Sequence, residues 1–300
     1  MIILITGPTA VGKTKLSLLL AQKIPHTFIV SVDSRQVYRM MDIGTDKVSL
    51  QDRKKIPHYL IDILNPNHDF SLGCFMEKAK KIIDFGIQKK INLIFVGGTV
   101  LYALALVKGY TLLPTNTNIR KKLESKSTEE LKELLSNLDK KFNTNFLEKY
   151  KDRRRIIRLL EAYEITKTNP ANLWENNKKF PINKIFILTN NRQIIYENIN
   201  KRVDRQIREG LIDEVKFILK KFPEAPSFKS MKTFGYYEVI QYLQGNIEFN
   251  SMIEMIKKNT RHFAKRQFSF LKKIDGEVIN LQDFNQSIEK ACDYLCQKLI

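Results

Sequence analysis

The chain of 300 residues has little cysteine, which excludes two classes of small, cross-linked protein. Its three cysteines, Cys74, Cys292 and Cys296, are too few for a disulfide framework or for a zinc site with four cysteine ligands. Stability must therefore come from a hydrophobic core. Apolar residues make up 43% of the sequence, which is ordinary for a globular protein with such a core.

The chain also has no long hydrophobic run. No apolar stretch approaches the roughly 20 residues that a helix needs to cross a membrane. The N-terminus shows no basic leader followed by a cleavage site, because its apolar residues belong to a predicted strand. We therefore expect no membrane segment, no targeting segment and a location in the cytoplasm.

Negative charge is scarce relative to positive charge. The sequence has 51 lysine and arginine residues against 32 aspartate and glutamate residues, a net charge of +19. The excess is spread over the chain, with +7 in residues 1–112, +6 in 113–180 and +6 in 181–300. A folded protein with this balance attracts polyanions. The alternative is a lysine-rich composition shared by all proteins of the source organism.

Strand and helix patterns alternate over the first part of the chain. Apolar, β-branched runs alternate with runs at helical spacing, in the order IILIT, TKLSLLLAQKI, TFIVSV, CFMEKAKKIIDFGIQKK, NLIFVGG and TVLYALALVKG. This alternation predicts an α/β fold in which helices flank a parallel sheet.

The middle of the chain has a different pattern. Turn residues in LLPTNTN end the alternation, and the pattern is helical from Asn118 to about Thr168. The apolar run KIFILT then restores a strand. We therefore predict an all-helical insertion domain at 113–180 within a core formed by 1–112 and 181–300. Helices in the last third are predicted at 194–222, 235–244, 250–272 and 284–299.

The first predicted strand leads into a glycine-rich loop and then a helix, which is the context of a P-loop. Its pattern of two glycines, a lysine and a threonine is met by Gly7, Gly12, Lys13 and Thr14. In such a loop, backbone N–H groups at the helix N-terminus converge on a phosphate group. The lysine supplies a positive charge, and the threonine offers a hydroxyl group to Mg²⁺. The predicted phosphate-binding residues are Gly7, Pro8, Thr9, Ala10, Val11, Gly12, Lys13 and Thr14.

The strand NLIFVGGT favours some phosphate chemistries over others. ATPases and GTPases usually carry an aspartate at the end of such a strand to hold Mg²⁺, whereas this strand ends in Gly97, Gly98 and Thr99. The glycines let a ligand or backbone come close, and the Thr99 hydroxyl can bind an anion. The pattern leaves a kinase of a small molecule, or a transferase with diphosphate as leaving group.

Polar residues follow the second predicted strand. Asp33 lies where TFIVSV ends, and ligands of open α/β sheets bind outside the carboxyl ends of the strands. We therefore expect Asp33 to face the same crevice as Lys13, as a general base or a magnesium partner. Ser34, Arg35 and Gln36 follow, and arginine and glutamine are side chains that read purine edges.

Several motifs together resemble one family. The segments GPTAVGKT, DSRQVYRMMDIGT, IPHYLID, VGGTVLY, RRIIRLLEAYEITK, KRVDRQIREGLIDEV, FGYYEV and TRHFAKRQFSF occur in this order. They resemble the tRNA dimethylallyltransferases (tRNA isopentenyltransferases) of bacteria and organelles, over nearly the whole chain. The resemblance implies transfer of a dimethylallyl group from its diphosphate to N6 of the adenine 3′ of a tRNA anticodon, with Mg²⁺.

The sequence departs from the family's pattern at several positions. The family commonly has Ala-Lys-Pro after MDIGT, where this chain has Asp46-Lys47-Val48. Val100 replaces a glycine, Arg154 stands where glutamine is frequent, and Phe270 replaces a tryptophan. None of these departures removes a reactive group.

The resemblance also implies roles for single residues. The diphosphate is expected in the P-loop, held by Lys13 and by Mg²⁺ near Thr14. Thr99 donates to the leaving oxygen, and Asp33 takes the proton from N6 as the C–N bond forms. Arg202, next to the apolar stripe of the segment KRVDRQIREGL, is expected to reach the diphosphate.

The anticodon stem-loop of tRNA is the expected partner, together with dimethylallyl diphosphate. Besides Asp33 and Thr99, the predicted tRNA-binding residues are Ser34, Arg35, Gln36, Arg120, Arg154, Arg155, Ile156, Ile157, Arg158, Arg261 and Arg266. Most carry positive charge that would meet phosphates, and the reacting base must leave its stack to reach Asp33.

Two other classes of function stay open at this point. A P-loop kinase of a small metabolite would share the loop, Asp33 and the Gly-Gly strand end, but needs neither the spread positive charge nor the insertion. A non-catalytic RNA-binding module would have no use for an intact P-loop. We expect the protein to be a monomer.

Overall fold

The structure is a computed structural model that describes residues 1–110, 112–174 and 179–299. The chain divides into two compact units, one formed by Met1–Val107 with Phe180–Ile300 and the other by Lys108–Lys179. The predicted division, at 112/113 and 180/181, lies within a few residues of these bounds. The first unit is the core and the second is the insertion.

The core contains a parallel sheet, as the alternating pattern predicts. Over the described residues it has six strands in the order β3-β2-β4-β1-β5-β6. The strands are β1 (Ile2–Thr6), β2 (Thr27–Ser31), β3 (His58–Tyr59), β4 (Asn92–Gly97), β5 (Lys184–Thr189) and β6 (Glu277–Asn280). The P-loop follows β1, which lies between β4 and β5. The carboxyl ends of β1, β2 and β4 therefore meet at one edge of the sheet.

Helices cover both faces of the sheet. Those of the core are α1 (Lys13–Lys23), α2 (Leu50–Lys55), α3 (Leu72–Gln88), α4 (Val100–Lys108), α9 (Arg192–Arg208), α10 (Leu211–Lys221), α11 (Tyr236–Leu243), α12 (Phe249–Leu271) and α13 (Ile288–Leu299). Alternate residues of β1 enter two hydrophobic clusters, with Leu4 in one and Ile3 and Ile5 in the other. All three are fully buried. Because β1 is covered on both faces, its sequence is a continuous apolar run.

The insertion is helical, as its pattern predicts. Its helices are α5 (Thr117–Glu124), α6 (Thr128–Phe142), α7 (Phe146–Lys149) and α8 (Arg153–Thr166). The start of α6 has a capping box, because Ser127 Oγ accepts from the Glu130 N–H and the Glu130 carboxylate accepts from the Ser127 N–H. Leu131, Leu135 and Ile156 are fully buried in the unit's own hydrophobic cluster.

Two predicted helices in the last third differ from the structure, and one strand there was not predicted. The single helix predicted at 194–222 is two helices, because Gly210 between α9 and α10 adopts a left-handed φ of 99°. The helix predicted at 284–299 begins at Ile288. The short strand β6 was not predicted, because only Val278 and Ile279 of its four residues are apolar.

No helix in the described ranges is both long and apolar enough to cross a membrane.

Candidate active site

The P-loop connects β1 to α1, and its glycines are required by their surroundings. Gly12 precedes α1 with a φ of 100°, and a Cβ there would lie 2.6 Å from Cδ1 of Ile288. A Cβ on Gly7 would lie 2.2 Å from the carbonyl oxygen of Leu188. No side chain caps α1, so the backbone N–H groups of its first turn are left for an anion.

Lys13 lies inside this loop. Its ammonium group donates a hydrogen bond to the carbonyl oxygen of Pro8 over 2.7 Å. Burial lowers the pKa of Lys13 to about 7, and the nearby positive charge of Arg202 acts in the same direction. The carboxylates of Asp33 and Asp46 oppose this shift. Among the described residues no carboxylate forms an ion pair with Lys13, so its ammonium group is suited to receive a negatively charged ligand.

The ends of β2 and β4 are in direct contact beside the P-loop. A Cβ on Gly97 would lie 2.1 Å from the carbonyl oxygen of Val32, so only glycine allows this approach. The hydroxyl oxygen of Thr99 accepts a hydrogen bond from the N–H of Ser34 over 3.0 Å. The close approach therefore fixes Thr99 next to the loop that carries Asp33.

Asp33 is held by its own loop. One carboxylate oxygen, Oδ1, accepts hydrogen bonds from the N–H groups of Arg35 and Gln36 over 2.7 and 3.3 Å. Within the described ranges, no donor of the protein reaches its other oxygen, Oδ2. The carboxylate is thus oriented at one end and has an acceptor oxygen left for a ligand.

Arg202 comes from α9 and lies against the P-loop. One of its terminal nitrogens donates to the hydroxyl oxygen of Thr9, and the other forms an ion pair with Asp46, each over 3.0 Å. Arg205, one turn away on the same helix, also pairs with Asp46. Burial lowers the pKa of Arg202, and the Asp46 carboxylate offsets part of this effect.

Two neighbouring cavities open at this edge of the sheet. The first, of about 270 Å³, is lined by the P-loop residues Gly12, Lys13 and Thr14. The second, of about 370 Å³, is lined by Ser34, Thr99 and other residues. The residues that line both cavities are Thr9, Asp33, Thr45, Asp46, Arg202 and Phe263. Asp33 therefore faces the same crevice as Lys13, as its position after β2 predicts, and also a second one.

The second cavity has positive and aromatic walls. Its lining includes Arg35, Lys232 and Arg266, together with the rings of Phe234 and Phe263. The two ring centroids are 5.1 Å apart. Cations and aromatic rings are the side chains that bind the backbone and the base of a single-stranded nucleotide.

Three of the predicted tRNA-binding residues of the core have partners within the protein. Arg35 donates to the carbonyl oxygen of Lys229, and Arg261 donates to the Asn200 side chain. The amide of Gln36 accepts from the Ser31 hydroxyl and donates to the carbonyl oxygen of Thr45. In the ligand-free protein, Gln36 therefore fixes its own surroundings, and a base contact stays a prediction.

The predicted tRNA-binding arginines of the insertion fall into two groups. Arg154 and Arg155 are exposed on α8. Arg120 and Arg158 both pair with Glu161, whose side chain is fully buried, at 2.8 and 2.5 Å. Burial favours the protonated form of Glu161, yet the hydrogen bonds from Arg120, the Asn116 N–H and Arg158 together hold its pKa below the usual value.

Two predictions in the insertion need correction. Ile156 and Ile157 were expected to contact tRNA, but their side chains are buried in the hydrophobic cluster of the insertion, at 0% and 6% exposure. The helical spacing of α8 turns them inward while Arg154 and Arg155 point outward. Arg158 also donates to the carbonyl oxygens of Leu113 and Pro114, so it holds the loop before α5.

Sequence reasoning missed Gln267. This side chain of α12 is buried, accepts a hydrogen bond from the N–H of Thr9 over 2.8 Å and donates to the carbonyl oxygen of Gly98 over 2.7 Å. It thereby connects the P-loop with the end of β4. The signal was present, because Gln267 occupies a position on the buried stripe of α12, where an amide needs partners.

His58 lines the first cavity, a position that its sequence context does not indicate. Its Nδ1 lies 2.6 Å from the carbonyl oxygen of Ile56, so Nδ1 must carry the hydrogen. Its Nε2 is buried without a partner in the described ranges, and the ring lines the first cavity. Burial lowers the pKa of His58, which leaves Nε2 as an acceptor at neutral pH.

A parallel sheet, a P-loop and a strand that ends in two glycines beside a carboxylate are typical of a P-loop transferase or kinase. Comparison with known families distinguishes between the two. The family model described as IPP transferase matches residues 36–274. The chain belongs to this family, in agreement with the resemblance in its motifs.

Individual relatives point in the same direction. A tRNA dimethylallyltransferase from Thermotoga neapolitana is 39% identical over 279 residues, which is 92% of this chain and 90% of the relative. A crystal structure of tRNA delta(2)-isopentenylpyrophosphate transferase from Staphylococcus epidermidis is 31% identical, with a TM-score of 0.72 over 99% of this chain and 98% of that one. A eukaryotic dimethylallyltransferase acting on tRNA is 26% identical, with a TM-score of 0.81 over 95% of this chain and 75% of that one.

Proposed function

We propose that this protein transfers a dimethylallyl group from dimethylallyl diphosphate to N6 of the adenine 3′ of the anticodon in tRNA, releasing diphosphate. One observation carries the proposal. Asp33 lies on the wall that the P-loop cavity shares with a second cavity of cationic and aromatic lining. A carboxylate in this position can meet a phosphate-bearing donor on one side and a nucleobase on the other. The names of the relatives support this choice of substrates.

The first cavity suits the diphosphate of the donor. The N-terminus of α1 and the ammonium group of Lys13 lie at this cavity, and the guanidinium of Arg202 lines it as well. These groups stabilise negative charge, which increases on the diphosphate as the allylic C–O bond breaks. Their arrangement is fixed before the ligand arrives, because Arg202 is bonded to Thr9 and Lys13 to Pro8.

The site also fits a Mg²⁺ ion. The described ranges contain no cluster of three or more histidine, cysteine, aspartate or glutamate side chains that could hold a metal. Mg²⁺ at phosphate sites is usually bound by one or two protein oxygens, waters and the phosphates themselves, so such a cluster is not needed. The Thr14 hydroxyl lines the first cavity and would be the protein's ligand. The ion would neutralise charge on the diphosphate.

The transfer is a substitution at the allylic carbon. The C–O bond to the diphosphate breaks and its electron pair leaves with the diphosphate, while the lone pair of N6 forms the new C–N bond. Thr99 lines the second cavity beside Ser34, and its hydroxyl hydrogen would turn from the Ser34 hydroxyl oxygen, 3.5 Å away, to the leaving oxygen. Oδ2 of Asp33 accepts the proton that N6 loses.

The second cavity is where the adenine would enter. The base has to leave its stack in the anticodon loop, which costs a few kcal/mol. Stacking on Phe263 or Phe234 would offset part of this cost, and Arg35, Lys232 and Arg266 would meet the RNA backbone. In the insertion, the exposed residues Arg154 and Arg155 are the better candidates for phosphate contacts, because Arg120 and Arg158 are bound to Glu161.

We propose that one chain carries out this reaction, in the cytoplasm. Size-exclusion chromatography with light scattering would give the mass of one 35.1 kDa chain if the monomer is correct.

The direct test mixes the protein with Mg²⁺, labelled dimethylallyl diphosphate and bulk tRNA, and measures the label in RNA. The proposal expects label in tRNA and an equal amount of released diphosphate. ATP consumption without labelled RNA would contradict it and would favour the kinase of a small metabolite. Binding of tRNA without either reaction would favour an RNA-binding module.

A further inference from the structure

Asp46 is the partner of the arginine that faces the P-loop. Its carboxylate lies 3.0 Å from a terminal nitrogen of Arg202 and also pairs with Arg205. It lines both the first and the second cavity.

The fold holds Asp46 in place independently of the arginines. Its φ is 52°, a left-handed conformation at the end of a turn, and its N–H donates to the carbonyl oxygen of Ile43 over 3.0 Å. Its carbonyl oxygen accepts from the amide of Gln36 over 3.4 Å. The backbone of Asp46 is therefore fixed by bonds that do not involve the arginines.

The charges around this position nearly balance without a ligand. Lys13, Arg202 and Arg205 face Asp33 and Asp46. Arg202 is partly buried, with 24% of its side chain exposed, so its charge needs a counter-ion when the P-loop is empty. Asp46 is that counter-ion. A diphosphate in the first cavity would bring a second anion to the same guanidinium group.

We propose that Asp46 competes with diphosphate for Arg202 and thereby weakens the binding of both the donor and the released diphosphate. The inference rests on the proposed function, since it places a diphosphate at the P-loop. Like charges that share one cation repel each other, and the repulsion is largest where the site is shielded from water. The carboxylate keeps Arg202 ordered in the free protein at the expense of affinity for the ligand.

The test measures binding of inorganic diphosphate to the full chain by calorimetry, in the presence and absence of Mg²⁺. Asp46→Ala removes the carboxylate. Asp46→Asn keeps the shape and removes only the charge. We expect both variants to bind diphosphate more tightly than the original chain, on the order of tenfold at low salt. Raising the salt concentration should reduce the difference.

A matched control is Asp204→Asn. Asp204 also lies on α9, pairs with Lys257 over 2.8 Å and is half exposed, so its removal changes the net charge without touching Arg202. Its affinity for diphosphate should stay within about twofold of the original value. Circular dichroism of each variant shows whether the fold is intact.

Three outcomes would overturn this inference while leaving the proposed function in place. Unchanged affinity in both Asp46 variants would show that the carboxylate does not compete. Weaker binding in both would show that it orients Arg202 for the ligand. An equal gain in affinity in Asp204→Asn would show that the effect comes only from the change in net charge. By contrast, failure of the original chain to bind diphosphate at all would contradict the proposed function itself.

Discussion

Asp33 is the residue on which the proposed chemistry depends. The backbone N–H groups of Arg35 and Gln36 fix one of its oxygens, and an asparagine could keep these two bonds through its own oxygen. Asp33→Asn should therefore bind diphosphate and tRNA almost normally but lose the base. We expect the single-turnover rate of transfer to fall on the order of 10²- to 10⁴-fold.

Asp84→Asn is the control for this change, because Asp84 is an exposed carboxylate on α3. Its rate should equal that of the original chain. If Asp33→Asn transfers the prenyl group at an undiminished rate with normal binding, Asp33 is not the base.

The lowered pKa of Lys13 predicts that the affinity for the donor depends on pH. Burial and Arg202 lower its pKa from 10.5 to about 7, so the free protein loses this charge as the pH rises through 7. A bound diphosphate favours the charged form. The affinity for the donor should therefore be highest below pH 7 and fall as the pH rises above it, with uptake of a proton on binding.

Calorimetry in buffers of different ionisation enthalpy measures that proton uptake. Lys13→Arg stays charged throughout, so its affinity should show a flatter pH dependence that reflects only the titration of the ligand. Identical pH profiles for the two proteins would mean that Lys13 does not titrate in this range.

Single residues show where sequence reasoning succeeds and where it ends. The positions of Lys13, Asp33 and Thr99 follow from local patterns, since each is placed by the end of a strand or the start of a helix. The partners of Gln267 and Asp46 could not be predicted in this way, because they are more than 150 residues distant in sequence. Such contacts depend on how α9 and α12 pack against the sheet.

At the scale of elements, α12 is connected to two strand ends through one side chain. Gln267→Leu would leave the Thr9 N–H and the Gly98 carbonyl oxygen without their partner. We expect the free energy of unfolding to fall by about 1–3 kcal/mol. Because both groups border the P-loop cavity, the KM for the donor should rise more than kcat falls.

Chemical denaturation and steady-state kinetics measure the two effects. Lys265→Ala serves as the control, since Lys265 is exposed on the same helix. A stability equal to that of the original chain would show that water replaces the lost bonds of Gln267. A change in kcat alone would place its effect outside donor binding.

The elements were predictable to the extent that their patterns were long and periodic. β1, β2, β4 and β5 are continuous apolar runs, and α1, α3 and α8 have clear helical spacing. The two-residue strand β3 and the short strand β6 offer no such pattern and are defined by pairing with their neighbours. The break between α9 and α10 was signalled by Gly210, but an apolar stripe that continues across it favoured one helix.

At the scale of the whole molecule, the charge of +19 should make tRNA binding strongly dependent on salt. Arg154→Ala combined with Arg155→Ala removes two exposed charges from α8. If both contact phosphates, the slope of log affinity against log salt should become shallower by about 1–2. Filter binding or fluorescence anisotropy over a range of salt concentrations provides the slope.

Lys78→Ala with Lys80→Ala is the matched control, because both lysines are exposed on α3, where no RNA contact is predicted. Its slope should not change. An equal loss in both double variants would support the alternative in which the positive charge is a general property of the composition.

The central claim is that a donor whose diphosphate lies in the P-loop transfers its dimethylallyl group to N6 of an adenine beside Asp33, where the two cavities meet. It is tested most directly by incubating the protein with tRNA, Mg²⁺ and dimethylallyl diphosphate, digesting the tRNA to nucleosides and analysing them by mass spectrometry. The account predicts an adenosine that carries one five-carbon group on N6, formed by the original chain and not by Asp33→Asn. Unmodified adenosine, or equal modification by both proteins, would contradict it.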